Sequence, residues 1–148
     1  MIIGVSGHRA LIYNETLYKL VYDKFSSMMQ EIKPEKVITG AALGFDQLVA
    51  EVCIELNIPF IAAVPFLGQE NQWNNAQKDK YNILLSKAAE IKIVSEGSFS
   101  KEKFQIRNKW IVDNSDNMIV YFTGQSGGTK NCIDYAKSIN KPIRYILI

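Results

Sequence analysis

Short apolar runs alternate with amphipathic stretches from one end of the chain to the other. The apolar runs are rich in Ile and Val and end at glycine, proline or polar residues, as strands covered on both faces do. The pattern predicts six strands, at Ile2–Ser6, Lys36–Thr39, Pro59–Val64, Glu90–Ser95, Asn117–Phe122 and Pro142–Ile148.

The stretches between these runs carry apolar residues at helical spacing, with polar residues on the opposite face. The spacing predicts five helices, at Leu17–Ile32, Phe45–Leu56, Trp73–Ala88, Lys103–Val112 and Thr129–Ile139. A regular alternation of strands and helices is typical of a parallel sheet with helices on both faces. We therefore predict a single-domain α/β fold, a Rossmann-like three-layer sandwich around a mostly parallel sheet of about six strands.

Length and composition agree with one globular domain. The chain has 148 residues, of which 47% are hydrophobic and 22% charged, so it has enough apolar residues for a core and does not resemble a disordered chain. No apolar run reaches the roughly 20 residues of a membrane-spanning helix. The two cysteines, Cys53 and Cys132, do not form a disulfide framework, and we expect a reducing cytoplasmic environment without membrane contact.

The overall charge does not favour a nucleic acid as partner. Lys and Arg number 17 against 15 Asp and Glu, a formal charge of +2, whereas binding to a phosphate backbone normally needs a concentrated basic face. Nucleic acid is therefore an unlikely partner on this ground. The chain also lacks the spacing of a metal site, so we expect no metal and no resident cofactor.

The most distinctive motif is a glycine-rich turn between the fifth strand and the last helix, Thr123 to Thr129. Glycines let a backbone approach an anion closely, and the first amides of a helix point toward it. The predicted phosphate contacts are Gly124, Ser126, Gly127, Gly128 and Thr129. The alternative is an ordinary strand-to-helix turn, in which Ser126 or Thr129 caps the helix.

A second loop of small residues, Thr39 to Asp46, follows the second strand. Gly40, Ala41, Leu43 and Gly44 are predicted ligand contacts because such a loop leaves room against the backbone. Asp46 is either an acceptor for a ribose hydroxyl or base amine, or a carboxylate that stabilises the start of its helix.

The first strand ends in Ser6, Gly7, His8 and Arg9, which we also predict to contact a ligand. Arg9 has the geometry to pair bidentately with a phosphate. His8 is the only histidine, and its chemistry allows it to act as acid, base or hydrogen-bond donor. A histidine in a turn is more often structural, and that alternative is favoured here.

Further candidates follow the third strand and lie on the fourth helix. Trp73 either stacks on a purine or belongs to the core, and Arg107 either binds the ligand or lies on a solvated basic face. Cys132, in the first turn after the glycines, is a weak candidate for a thiol of lowered pKa. The contacts predicted in this group are Pro65, Phe66, Gln69, Trp73 and Arg107.

An ordered series of these motifs resembles the SLOG superfamily of Rossmann-like proteins, and most closely its YpsA-like branch of bacterial and phage proteins. The resemblance covers nearly the whole chain. It is carried by Ser6–Arg9, Thr39–Gln47, Pro65–Phe66 with Gln69, Glu70 and Trp73, Gln105–Asn108, Val112–Asp116 and Gly127–Thr129.

The resemblance implies a nucleotide or nucleotide-derived ligand and a homo-oligomer. Better-known relatives include DprA proteins and the cytokinin-activating phosphoribohydrolases, which carry an Arg-Lys element and a glycine loop followed by a catalytic Glu. Arg107 and Lys109 resemble the basic element, but Cys132 stands where the Glu belongs. Cleavage of an N-glycosidic bond requires a carboxylate near the ribose, which Asp46, Glu70 or Asp134 would have to supply.

Three functions follow from these patterns. The leading hypothesis is a receptor or sequestering protein for a nucleotide-derived signal, such as a cyclic nucleotide or an ADP-ribose-type molecule. The second is a phosphoribohydrolase-type enzyme, and the third is a DprA-like binder of single-stranded DNA.

Overall fold

The computed structural model describes residues 1–148 and contains one sheet of six strands. All neighbouring strands are parallel, in the order β4-β3-β2-β1-β5-β6. The strands are β1 (Ile2–Gly7), β2 (Lys36–Thr39), β3 (Phe60–Val64), β4 (Glu90–Ile93), β5 (Asn117–Tyr121) and β6 (Ile143–Tyr145).

Five helices cover the two faces of the sheet. Their apolar sides form two main clusters, one joining α1 and α2 to the sheet and the other joining α4 and α5 to its opposite face. α3 belongs to the first layer, where Leu84 packs into the larger cluster. The helices are α1 (Glu15–Ile32), α2 (Phe45–Leu56), α3 (Asn75–Ser86), α4 (Lys101–Asp113) and α5 (Gly128–Ser138).

The order of the strands reverses between β1 and β5. From β1 the chain moves outward through β2 and β3 to the edge strand β4, and α4 then carries it back across the sheet to β5. In doubly wound sheets this reversal opens a crevice at the carboxyl ends of the strands. The loops after β1 and β5 border that crevice here.

The predicted fold class is confirmed, and the sheet is parallel throughout. The fourth and sixth strands are shorter than predicted and end at Ile93 and Tyr145, although the Val94 and Ile146 amides still donate to the carbonyls of Val64 and Val120. α3 begins at Asn75 with a capping box between Asn74 and Gln77, so Trp73 precedes the helix instead of lying on it. A short 3₁₀ helix, Arg9–Tyr13, was not predicted.

None of the helices combines the length and the apolar character that crossing a membrane requires.

Candidate functional site

The loops after β1 and β2 pack against each other backbone to backbone. The Phe45 amide donates to the His8 carbonyl at 3.3 Å. A Cβ at Gly44 would lie 2.5 Å from that same oxygen, and one at Gly7 would strike the Phe45 ring. Gly7 and Gly44 therefore hold two of the predicted loops in direct contact.

Arg107 of α4 lies beneath these loops with only 4% of its surface exposed. Its Nη1 donates to the carbonyls of Gly40 at 2.8 Å and Ala63 at 3.1 Å, and to Gln69 Oε1 at 3.5 Å. The guanidinium thus joins the loops that follow β2 and β3. The alternative of a solvated basic face is wrong for Arg107, whereas Lys109 is exposed and lies 5.3 Å from the centre of the Tyr135 ring.

Gly40 separates Arg107 from Asp46. A Cβ at Gly40 would come within 2.6 Å of Arg107 Nη1 and 2.7 Å of Asp46 Oδ2, so any side chain there would push the two charged groups away. Asp46 is 9% exposed, and its Oδ2 accepts from the Ala42 amide at 3.4 Å. Burial raises the pKa of Asp46 to about 6 and outweighs the attraction of Arg107, which acts in the opposite direction.

Each of these two charged groups keeps one atom free. Arg107 Nη2 and Asp46 Oδ1 make no hydrogen bond within the chain. Both residues are almost fully buried. Each therefore keeps one polar atom available for a further hydrogen bond beside the loops after β2 and β3.

The raised pKa of Asp46 predicts a dependence of stability on pH. The folded protein keeps the Asp46 proton up to about pH 6, whereas the unfolded chain releases it near pH 4. The native state therefore binds more protons between these values, and ionisation of Asp46 removes about 2–3 kcal/mol of stability as the pH rises from 4 to 7. Asp46→Asn should eliminate this contribution.

Urea unfolding at pH 4, 5, 6 and 7 measures that contribution as the difference between Asp46→Asn and the wild type. The variant should gain stability relative to the wild type as the pH rises. Stability profiles that run parallel across this range would show that Asp46 ionises normally in the folded state.

The glycine-rich turn presents an open helix N-terminus beside β1. Gly124 and Gly127 have φ values of +95° and +134°, a backbone region that disfavours other residues. α5 starts at Gly128, and its N-cap residue Gly127 offers no side-chain cap. The alternative in which Ser126 or Thr129 caps the helix is wrong, because Gly127 occupies the N-cap position without a side-chain cap.

His8 connects the loop after β1 to this turn. Its Nε2 accepts a hydrogen bond from the Thr123 amide at 2.9 Å, and its ring stacks on Phe122 at 5.6 Å. Burial lowers the pKa of His8, which favours the neutral ring that this acceptor role requires. These contacts give His8 a structural part in the turn.

A cleft of 470 Å³ opens beside Arg9, between the loop after β3 and the loop before α4. Four of its residues were predicted as contacts: Arg9, Phe66, Gln69 and Trp73. Trp73 also packs edge-to-face on Tyr81 at 5.2 Å, so it is both a cleft residue and a packing residue. The lining residues outside the predicted contacts are Leu67, Gly68, Asn71, Gln72, Ser98, Phe99 and Phe104.

The remaining predicted contacts lie below the surface. Ala41, Leu43 and Pro65 are buried, and Ser6 is nearly so. They pack under the loops that present the exposed groups, and in this arrangement they support the site rather than line it. The sequence alone does not show whether a residue of such a loop lines the site or packs beneath it.

The structure also places the candidate catalytic groups. Cys132 is buried, and its pKa is raised to about 11, so the hypothesis of a lowered thiol pKa is wrong. Asp134 is on the exposed side of α5 and pairs with Lys130 at 2.8 Å. Asp46 remains beside Arg107, and Glu70 lies in the loop after β3.

Three large apolar residues of α4 have partners within the chain. Phe104 packs on Phe66 at 5.4 Å, Trp110 packs against the cluster of α4 and α5, and Ile111 is part of that cluster. They give no support to a partner chain on this helix. The homo-oligomer stays a prediction from the resemblance.

Comparisons with known proteins agree with this architecture. The uncharacterized SPbeta prophage-derived protein YoqJ of Bacillus subtilis is 34% identical over 145 residues, covering 84% of both chains. The fold is similar to that of DprA from Streptococcus pneumoniae (TM-score 0.74, 18% identity, 99% of this chain). It is also similar to DprA from Helicobacter pylori (TM-score 0.73, 18% identity, 100% of this chain), whose structure is described as showing a single-stranded DNA binding mode.

The chain spans 50% and 66% of the length of these two DprA proteins, and at this identity the likeness concerns the fold alone. The model of the YspA SLOG family matches residues 11–147. That match includes the strands β2 to β6, the buried Arg107 and the glycine-rich turn. The chain therefore belongs to the YspA SLOG family.

Proposed function

We propose that this protein binds a nucleotide or nucleotide-derived signalling molecule at the carboxyl edge of its sheet, with the phosphate at the turn 124–129. The open N-terminus of α5 at the strand reversal is the observation that carries the proposal. Its first amides lack a side-chain cap, the turn is exposed, and a Cβ at Gly124 or Gly127 would have no neighbour within 4 Å. Such an end of a helix attracts an anion by its amides and its dipole.

Neighbouring groups complement a phosphorylated ribose. His8 fixes the turn to the loop that carries Arg9, and Arg9 lines the adjacent cleft. Asp46 Oδ1 and Arg107 Nη2 offer an acceptor and a donor beside the same loops. A nucleotide presents both a charged phosphate and hydroxyl groups, and these features match the available partners.

The positions of the carboxylates favour binding of a nucleotide over its hydrolysis. The position that carries Glu in the phosphoribohydrolases is the buried Cys132. Asp46 is held near a guanidinium, and its pKa of about 6 suits an acceptor for a hydroxyl. We therefore favour a receptor or sequestering protein over an enzyme.

Single-stranded DNA is the second candidate partner. The fold likeness to DprA supports it, since the Helicobacter pylori protein is described as binding single-stranded DNA, and this likeness weighs against the expectation that nucleic acid is an unlikely partner. The formal charge of +2 supports the small ligand, because backbone binding neutralises several phosphates and weakens steeply with salt.

Incubation with separate nucleotides, followed by denaturation and mass spectrometry of the released species, tests these functions together. The panel contains nucleoside monophosphates, cyclic nucleotides, ADP-ribose and a short single-stranded DNA. Release of an intact small nucleotide supports the proposal, and release of free base with ribose phosphate identifies a hydrolase. Retention of the DNA alone, with affinity that falls steeply as salt rises, would replace the proposed function by the second candidate.

Arg9→Ala should weaken binding of the nucleotide selected by this panel by about one to two decades. The loss of one charge-assisted hydrogen bond costs about 1.5–3 kcal/mol. Arg144→Ala is the matched control, because Arg144 lies on β6 and pairs with Glu31 at 3.8 Å. Titration calorimetry measures the nucleotide affinity of both variants. Equal affinities would show that Arg9 does not contact the phosphate.

A further inference from the structure

Three phenylalanines form one wall of the cleft beside Arg9. Phe66, Phe99 and Phe104 are arranged edge-to-face, with ring centres 5.4 to 6.2 Å apart. Phe66 is buried, whereas Phe99 is 67% exposed and the adjacent Leu67 is 74% exposed. Apolar surface of this extent around a concave site is typical of a binding surface.

The exposed ring of Phe99 is held in place by the loop that carries it. Lys103 of α4 donates to the carbonyls of Glu96 and Ser98, both at 2.6 Å. Gly97 supplies the turn between them with a φ of +78°. The aromatic wall is therefore ordered before a ligand arrives, which reduces the entropy cost of binding.

The cleft is also lined by side chains with amide groups. Gln69 is fully used, since its Nε2 donates to the Gly40 carbonyl and to Tyr81 Oη, both at 3.3 Å. Asn71 and Gln72 line the cleft, are exposed, and their side chains form no hydrogen bond within the chain. Their amides are available to both donors and acceptors of a ligand.

Glu70, in the same loop, has an enclosed Oε1 without a hydrogen-bond partner. Glu70 is not among the residues that line the cleft. The polar groups that a ligand meets in this loop are therefore the amides of Asn71 and Gln72.

We propose that this cleft is the subsite for the nucleobase of the ligand, which stacks on the Phe66–Phe99–Phe104 wall and presents its polar edge to Asn71 and Gln72. The inference rests on the proposed function and extends it, because it assigns the ligand to molecules that carry a base as well as a phosphate. Arg9 lines the cleft, and His8 beside it is bonded to the glycine-rich turn. One ligand can therefore span the two places.

Phe99→Ala should weaken AMP binding by about tenfold and leave ribose 5-phosphate binding unchanged. Removal of an aromatic partner typically costs a stacked base this much, and ribose 5-phosphate has no base to lose. Leu20→Ala is the control, since Leu20 is an exposed apolar residue of α1. Calorimetry measures both affinities, and an unchanged melting temperature shows that each variant is folded.

Gly128→Asp separates this inference from the proposed function, because it should remove binding of both molecules. AMP affinity that Phe99→Ala does not change, or an equal loss for AMP and ribose 5-phosphate, would overturn the base subsite while the phosphate site stands. If Gly128→Asp binds both molecules normally, or if the wild type binds none of the nucleoside monophosphates, cyclic nucleotides and ADP-ribose, the proposed function fails along with it.

Discussion

Replacing Arg107 by methionine should lower the free energy of unfolding by about 3–5 kcal/mol, because it removes a buried, hydrogen-bonded charge and leaves the buried Asp46 carboxyl uncompensated. Methionine fills much of the same volume but donates no hydrogen bond. The carbonyls of Gly40 and Ala63 would lose their Nη1 donor, and the buried Asp46 would lose the charge that offsets its burial. Of the hydrogen bonds between the loops after β2 and β3, only that from Gln69 Nε2 to the Gly40 carbonyl would remain.

Chemical denaturation of Arg107→Met beside Lys109→Met measures this effect. Lys109 lies on the same helix but is exposed, so its replacement should change stability by less than about 0.5 kcal/mol. The double variant Arg107→Met with Asp46→Asn should recover part of the loss, because it removes the uncompensated carboxylate. Equal stability of the two single variants would mean that the buried hydrogen bonds of Arg107 do not stabilise the fold.

Gly128→Asp should abolish nucleotide binding, with a loss in affinity of at least about 100-fold. A carboxylate in the first turn of α5 would occupy the position of the phosphate and repel its negative charge. About two charge-assisted hydrogen bonds would then be lost. The fold should tolerate the change, since a Cβ at Gly128 would approach only Asn108 Nδ2, at 3.9 Å. Aspartate at the start of a helix is also stabilising.

The matched control for this effect is Gly128→Asn, which has nearly the same shape without the charge. Calorimetry should find most of the affinity retained in Gly128→Asn and lost in Gly128→Asp, with both melting temperatures within a few degrees of the wild type. A Gly128→Asp protein that is folded and binds as the wild type does would show that the turn serves only to start α5.

The fold was predictable because each element carries its own signal. The Ile- and Val-rich segments of β1, β3 and β5 match strands buried on both faces, and the periodicity of α1 and α2 matches their buried sides. Boundaries were less predictable at β4 and β6. These are edge strands, where exposed residues such as Ile91 and Tyr145 weaken the distinction between strand and loop.

The site was predictable only in part, because its arrangement depends on contacts between distant segments. Loop positions such as Arg9 and Gly128 followed from the strand-end rule. The burial of Arg107 did not, since it depends on the passage of α4 beneath the loops after β2 and β3. Phe99 gave no signal either, because a lone aromatic residue in an irregular loop belongs to no periodic pattern.

The passage of α4 across the sheet also makes three parts of the site depend on this one helix. Arg107 of α4 joins the loops after β2 and β3, and Lys103 holds the loop that carries Phe99. Phe104 forms part of the aromatic wall of the cleft. Transient detachment of α4 would dismantle all three at once, while the strands beneath remained paired. Occupancy of the site should therefore slow hydrogen exchange most strongly in α4, including residues on its far side that no ligand touches.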